Sequence, residues 1–189
     1  MSYFANAGQI LIQFLFGALT ALVLLRVLLQ MVHANFYNPI CQFLYKSTNP
    51  VLMPLRRLIP AWRNLDISAI LLAYILQVFK VFLLSALFGV RMGFSGLLVY
   101  ALAESVDFVL LLYFWIILFR IILSFAGSDS FQPSVPLIYQ LTEPVLAPLR
   151  KRLPNIAGFD FSPLIASLGI YVARALLVHP LIDLALYIA

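Results

Sequence analysis

The sequence predicts an all-α membrane protein with four transmembrane helices. These helices form two tandem two-span repeats, each with a short amphipathic interfacial helix segment on the cytoplasmic side. The first observation is composition, because 64% of the residues are hydrophobic and 10% are charged, against roughly 45–50% and 25% in soluble domains. The second is that the second half of the chain repeats the first. The third is that no segment alternates polar and apolar residues over the length of a strand.

The repeat is clearest in a motif rich in proline and arginine. Residues 45–60 read YKSTNPVLMPLRRLIP, and residues 139–154 read YQLTEPVLAPLRKRLP. The offset is 94 residues without a gap, and ten of the 22 positions from 45 to 66 are identical in the two copies, including all three prolines. We therefore predict a first repeat over residues 1–95 and a second over residues 96–189.

The first repeat contains two predicted spans. The first runs over about residues 10–31, because helical residues at about 1.5 Å each then cover a bilayer core of ~30 Å. A cleaved signal peptide is not expected, since no basic residue precedes this apolar run and the run is too long. The second span runs over about residues 67–90 and is opened by Asp66, a favourable residue at a helix start.

The segment between these spans is too polar to cross a membrane. Asn38-Pro39 predicts the start of one short helix, with the asparagine as its cap. Thr48 with Pro50 predicts a second short helix, bent at Pro54 and stopped at Pro60. Its leucines fall on one face and its arginines off it, a pattern typical of a helix in the membrane interface.

The second repeat mirrors the first. A glycine-containing hinge is predicted over residues 91–103, followed by a third span over about residues 104–125. Residues 129–154 repeat the interfacial segment, and Asp160 opens a fourth span over about residues 163–187.

The distribution of basic residues predicts the orientation. Seven bases lie in the two loops that follow the first and third spans: Lys46, Arg56, Arg57, Arg63, Arg150, Lys151 and Arg152. Only Arg91 lies on the opposite side. Because loops rich in Lys and Arg stay in the cytoplasm, we expect a multi-pass membrane protein with both basic loops in the cytoplasm and both termini on the outer (periplasmic) side. The net charge of +5 is better explained by this orientation than by nucleic-acid binding, so no nucleic-acid partner is expected.

The proline and arginine motif is a candidate binding site for anionic lipid headgroups or for an acidic segment of a partner. The alternative is that its bases only follow the positive-inside rule. The residues of this lipid- or partner-binding motif are Thr48, Pro50, Pro54, Arg56, Arg57 and Pro60 in the first repeat and Thr142, Pro144, Pro148, Arg150, Lys151 and Pro154 in the second.

Arg26 and Arg120 lie within the spans, about 7–8 Å from the predicted cytoplasmic ends. They are close enough to reach the interface with their side chains. A further hypothesis pairs Arg26 with Asp66, and Arg120 with Asp160, which would pin each hairpin of spans. The alternative is that both acids are ordinary N-terminal helix charges favoured by the helix dipole.

Lys80 and Arg174 lie deeper, roughly 20 Å and 17 Å into their spans, where a base costs at least ~2.5–3.5 kcal/mol. One reading is a polar pathway or an ion-binding pocket. The other is a pair of buried ion contacts, or side chains that extend outward. The candidate partners are Gln77, Tyr171, Asp107 and Glu104.

The motif residues resemble the signature of the YggT family, called YlmG in other bacteria. The resemblance rests on Asn38-Pro39, on Tyr45, on the run Thr-x-Pro-Val-Leu-x-Pro-Leu-Arg that starts at Thr48, and on Asp66-Ile67-Ser68. It covers the full length, and two copies are the proteobacterial form. The second copy departs from the pattern at Gln132, which replaces the asparagine, and at an extra Arg152.

The resemblance implies a cytoplasmic-membrane protein linked to osmotic or extracytoplasmic stress tolerance. For relatives in other lineages it implies roles in division, nucleoid distribution or assembly of membrane redox complexes. It implies no enzymatic activity and no cofactor, and the chain shows no pattern typical of a nucleophile and base, a phosphate loop or a metal site. We expect support of ion homeostasis, or alternatively a membrane scaffold or assembly factor. The expected partners are the anionic bilayer and a membrane protein or a second copy of this chain.

Overall fold

All regular structure is helical in a computed structural model of the protein, which describes residues 3–59, 65–125, 132–152 and 160–189. The elements are α1 (Tyr3–Met31), α2 (Pro39–Leu58), α3 (Ile67–Phe88), α4 (Phe94–Phe125), α5 (Ser134–Arg150), α6 (Ser162–Ala173), a π-helical turn (Arg174–Val178) and α7 (His179–Tyr187). Four segments are long and apolar enough to cross a membrane: Tyr3–Met31, Ile67–Phe88, Phe94–Ser124 and Ser162–Tyr187. The predicted all-α class with four candidate spans is confirmed.

Two candidate spans begin earlier than the sequence pattern predicts. α1 starts at Tyr3 rather than near residue 10, and α4 starts at Phe94 rather than near residue 104. The predicted hinge over residues 91–103 was therefore too long. Gly96 lies inside the predicted hinge but belongs to α4. A Cβ at this position would come 2.8 Å from the Cα of Ala189. A glycine permits this close approach between the start of α4 and the end of the chain.

The segment between the first two spans is one continuous helix, not two short ones. The Asn38 side chain caps α2 by accepting a hydrogen bond from the Ile40 amide at 2.9 Å. Pro50 and Pro54 both lie inside the helix, with their rings exposed. A proline removes one main-chain hydrogen bond, but the opposite face of α2 is buried against the repeat, and this packing holds the helix together. α5 likewise continues through its two prolines.

Leucines at equivalent positions pack α2 and α5 against the two candidate spans of their own repeat. Leu52 of α2 is fully buried among residues of α1 and α3, and Leu146 of α5 is fully buried among residues of α4 and α6. The same order of elements, a candidate span, a shorter helix and a second candidate span, therefore recurs with the same packing.

The two repeats meet in two places. α3 packs against the first half of α4, and the ends of α1 and α4 meet the starts of α2 and α5. Leu28, Ile116 and Leu141 belong to one buried cluster there. Asn38 Nδ2 also donates a hydrogen bond across the repeats to the carbonyl of Pro133 at 2.6 Å.

Candidate functional site

An arginine from the first span of each repeat contacts the helix beneath it in the same way. Arg26 Nη1 donates to Thr48 Oγ1 at 2.6 Å, and Arg120 Nη1 donates to Thr142 Oγ1 at 2.5 Å. Both arginines and both threonines are buried. The guanidinium carbon of each arginine also lies 4.5 Å from the ring centre of a tyrosine, Tyr45 in the first repeat and Tyr139 in the second.

The threonine hydroxyl is suited to this position because it donates and accepts at once. Thr48 Oγ1 donates to the carbonyl of Leu44 at 2.7 Å and accepts from Arg26. Thr142 uses its hydroxyl identically, through the carbonyl of Ile138. The spacing is the usual one for a threonine that bonds one turn back along its helix. The motif threonine therefore provides a hydrogen-bond acceptor for the buried arginine of the neighbouring helix.

The hypothesis that Arg26 pairs with Asp66 and Arg120 with Asp160 is wrong. Each acid is paired instead with the motif arginine ten residues before it. Arg56 donates to Asp66 through Nε at 3.1 Å and also through Nη2, and Arg150 Nε donates to Asp160 at 2.9 Å. Each ion pair therefore joins the end of the shorter helix to the start of the following candidate span.

Asp66 also caps α3, since its Oδ1 accepts from the Ala69 amide at 3.3 Å. Asp160 accepts from the Ser162 amide at 2.9 Å. Burial alone would raise the pKa of the Asp160 carboxyl, but hydrogen bonds from Ser162 and Arg150 together outweigh it and hold that pKa below its usual range. The same contact with Asp160 raises the pKa of Arg150. The pairing therefore keeps both groups charged.

The two repeats differ in one carboxylate that the sequence reasoning missed. Glu143 accepts from Arg120 at 3.0 Å and from Arg150 at 3.1 Å, and so links the two arginines of the second repeat. The equivalent residue of the first repeat is Asn49, whose side-chain oxygen is buried without a partner among the described residues. Two guanidinium groups thus face two carboxylates in the second repeat but only one, Asp66, in the first. The only sequence signal for this difference is that Asn49 and Glu143, which occupy equivalent positions of the gapless repeat, are different residues.

The remaining motif residues lie on the outer face of α2 and α5. Pro50, Pro54, Pro144 and Pro148 are exposed, and so are Arg57 and Lys151. Pro60 and Pro154 lie outside the described residues. The exposed face of α2 also carries large apolar side chains. Its position at the membrane surface stays a prediction.

The two deep bases have acidic partners, both supplied by α4. Lys80 Nζ lies 2.6 Å from Glu104 Oε2, so this pair joins the two repeats. Arg174 Nε lies 2.6 Å from Asp107 Oδ1, and its Nη2 lies 3.1 Å from Oδ2. Arg174 also opens the π-helical turn that interrupts the fourth candidate span. Of the partners that the sequence offered, the two carboxylates form the ion pairs, and the centre of the Tyr171 ring lies 5.9 Å from the Arg174 guanidinium carbon. Gln77 has no bond to either base.

Lys80 and Glu104 line a cavity of about 400 Å³ between α1, α3 and α4. Four further polar side chains contribute to its lining: Gln9, Gln13, Ser85 and Tyr100. Gln13 is the first-repeat counterpart of Asp107. The substitution leaves Lys80 without an acid in its own repeat and explains why it takes one from the other.

Comparison with known proteins agrees with the internal repeat. The model of the CCB3/YggT family matches this chain twice, over residues 5–87 and 99–181. The Pseudomonas aeruginosa protein PA0392 is 36% identical over 179 residues, which cover 93% of this chain and 91% of that protein. The protein YggT of Escherichia coli K12 is 39% identical over 155 residues, 81% of this chain and 79% of that protein. No solved structure matches. The chain therefore belongs to the CCB3/YggT family, in its two-copy form.

Proposed function

We propose that this protein is a non-enzymatic component of the cytoplasmic membrane that supports ion homeostasis, and through it tolerance of osmotic and extracytoplasmic stress. The observation that carries the proposal is the Lys80–Glu104 pair. A base of one repeat and an acid of the other meet inside the candidate spans and line a cavity of about 400 Å³. Paired charges within membrane spans are typical of ion pathways and proton relays.

The chemistry of this cavity favours the proton over a metal cation. Its polar lining consists of two glutamines, a serine, a tyrosine, one ammonium group and one carboxylate. A K⁺ or Na⁺ site needs a ring of oxygen ligands, and the one carboxylate of this cavity is already paired with Lys80. A single carboxylate next to a base can instead bind and release a proton. Proton movement, alone or coupled to a second solute, is thus the activity that fits Glu104.

The test is proton flux into liposomes that contain the purified protein and a trapped pH-sensitive dye, with and without an osmotic step. The double variant Lys80→Met/Glu104→Gln removes both charges and leaves neither partner as a lone buried charge. We expect it to lose the flux of the wild type. Wild-type flux equal to that of empty liposomes would overturn the proposal.

Two control variants separate this cavity from general effects of charge. Asp107→Asn/Arg174→Met removes the ion pair of the second repeat, which does not line the cavity, and should retain the flux. Arg91→Gln removes an exposed base between α3 and α4 and should also retain it. Equal loss in all three variants would mean that the flux depends on folding or net charge, not on the cavity.

A scaffold or assembly role is the second candidate, favoured by the exposed bases of the motif. Arg57 and Lys151 occupy equivalent positions, are exposed, and have no ion-pair partner among the described residues. Arg56 and Arg150 are engaged internally. Contacts to anionic headgroups or to an acidic partner would therefore use Arg57 and Lys151, at about 1 kcal/mol for each base near an anionic surface.

The scaffold reading predicts that Arg57→Glu/Lys151→Glu abolishes growth under osmotic stress while membrane insertion and liposome flux stay normal. Charge-conserving Arg57→Lys/Lys151→Arg is the matched control and should grow normally. Unchanged growth of the charge-reversed variant would count against a scaffold that uses these loops.

A further inference from the structure

Three hydrogen-bonding atoms lie buried without a partner where α1, α3 and α4 meet. They are Thr20 Oγ1 and both side-chain amide atoms of Gln77, and neither residue is more than 1% exposed. No residue in the part of the chain that the structure describes bonds to them. Buried polar groups almost always have partners, and an apolar surrounding makes an unpaired group more unfavourable. The three atoms therefore point to a ligand.

Thr20 and Gln77 line a cavity of about 520 Å³ that is otherwise nearly apolar. Its hydrocarbon walls come from Leu24, Ile67, Ile70, Leu71, Ala73, Leu102, Val106, Val109 and Leu110. The hydroxyls of Tyr74 and Ser105 also line it, but they already donate to the carbonyls of Leu98 at 3.0 Å and Ala101 at 2.7 Å. No charged side chain contributes to the lining. An apolar cavity with a few convergent polar groups is the usual form of a small-molecule site.

The cavity opens toward the region where lipid would lie. α3 and α4 touch near their connecting turn through Val81 and Leu97, and the cavity lies between them farther from that turn. Two of its lining residues, Ile70 and Leu102, are 43% and 45% exposed on candidate membrane spans. A lipid-soluble molecule has direct access between these two helices.

The second repeat carries two aromatic residues at the equivalent positions. Phe114 replaces Thr20 and Tyr171 replaces Gln77. The two rings pack edge to face with their centres 5.2 Å apart. The polar pair is thus specific to the first repeat.

We propose that this cleft binds an uncharged lipid whose head is a hydroxyl group, with its hydrocarbon tail against the apolar walls. A hydroxyl donates and accepts a hydrogen bond, which matches the amide of Gln77 and the hydroxyl of Thr20. A charged headgroup has no counter-charge here. Water alone fits poorly, because a volume of about 520 Å³ corresponds to roughly 17 molecules at about 30 Å³ each, too many for three free polar atoms. A glycerolipid such as diacylglycerol and a prenyl alcohol share the required chemistry.

The test places the full-length protein in nanodiscs of phosphatidylcholine that contain a photoactivatable probe lipid. The probes are diacylglycerol and farnesol, each compared with its own methyl ether, in which the hydroxyl no longer donates. Crosslinks are located by mass spectrometry. We expect labelling near Ile70 and Leu102 by a free hydroxyl, reduced about fivefold or more in the methyl ether because one hydrogen bond is lost. The probe that labels more strongly identifies the source.

Variants provide the second measurement. Thr20→Val/Gln77→Leu keeps the volume and removes the hydrogen bonds, so labelling should fall to the level of the ether. Ser167→Ala removes a hydroxyl that is already satisfied within its own helix and lies outside the cavity, and it should label as the wild type does. Thr20→Phe/Gln77→Tyr introduces the side chains of the second repeat and should abolish labelling.

Equal labelling of the wild type by a hydroxyl probe and its ether would overturn the proposal, since the cleft would then accept any hydrocarbon chain. Labelling that survives Thr20→Val/Gln77→Leu would overturn it as well. The comparison of hydroxyl with ether needs no variant, so it decides the question even where a variant fails to fold. The proposal also stands apart from ion movement, because the Lys80–Glu104 cavity has a different lining.

Discussion

Neutralising one member of the Lys80–Glu104 pair should cost more stability than neutralising both. The charged atoms lie 2.6 Å apart, and at an effective dielectric constant of about 20 their attraction is roughly 6 kcal/mol. Removing one partner from a buried pair costs about 3–5 kcal/mol, because a buried charge is left alone. The Glu104 side chain is 31% exposed, against 10% for Lys80. Lys80→Met leaves the more exposed Glu104 alone and should cost about 3 kcal/mol, whereas Glu104→Gln leaves the more buried Lys80 alone and should cost nearer about 5 kcal/mol.

The assay is a double-mutant cycle with Glu104→Gln, Lys80→Met and the combined variant. Unfolding is followed by circular dichroism as SDS is added to the protein in mixed micelles. The combined variant should cost about 1 kcal/mol or less, since neither charge remains unpaired. With single costs of about 3 kcal/mol or more, the coupling energy is then at least about 5 kcal/mol in magnitude. Single effects that add to within about 0.5 kcal/mol would refute the pairing.

Three further predictions concern the motif helices, each measured in the same unfolding assay. Thr48→Val should destabilise by about 1.5–3 kcal/mol, because the Arg26 guanidinium loses a hydrogen-bond acceptor, whereas Thr48→Ser should cost under about 1 kcal/mol; equal costs would contradict the role of the hydroxyl. Glu143→Asn should cost only about 1–2 kcal/mol, since it recreates the first-repeat arrangement, in which a buried arginine is tolerated beside threonine and tyrosine; a loss near 5 kcal/mol would show that the repeats are not interchangeable. The pKa of Asp160 is lowered in the folded protein, so its contribution is present above the ordinary pKa of about 3.9 and is lost as pH falls through the lower folded value. Asp160→Asn should therefore reduce the drop in unfolding free energy between neutral and acidic pH, by less than about 1 kcal/mol for this partly exposed pair. The same drop in the variant and the wild type would contradict this role of Asp160.

The internal repeat made much of the architecture predictable. Ten identical positions over residues 45–66 and their partners require that the same backbone occurs twice. Thr48 and Thr142 accordingly make the same two hydrogen bonds. The apolar composition of four long segments predicted the spans. Each segment was expected to be helical, because the backbone of a chain in lipid must satisfy its own hydrogen bonds. These features depend on local pattern, and local pattern is what a sequence displays.

Pairing between helices was less predictable. Arg26 and Arg56 both had Asp66 within a plausible reach, and the rotation of α2 beneath α1 decided that Arg56 takes the acid and Arg26 takes the threonine. The proline spacing suggested a helix break near Thr48, but burial of Leu52 on the opposite face keeps α2 continuous. In both cases packing outweighs a local preference.

The sequence by itself determined that this is a duplicated, four-span helical protein with bases and acids at fixed places along its spans. Hydrophobicity and the internal repeat can be read from the order of residues along the chain, without knowing which helices pack together. Only the tertiary structure decided that Glu104 of one repeat neutralises Lys80 of the other, and that Thr20 and Gln77 remain unpaired in a cleft between α1, α3 and α4. The physical reason is that a side chain's partner depends on how neighbouring helices rotate and separate, and that relation arises only when their surfaces pack.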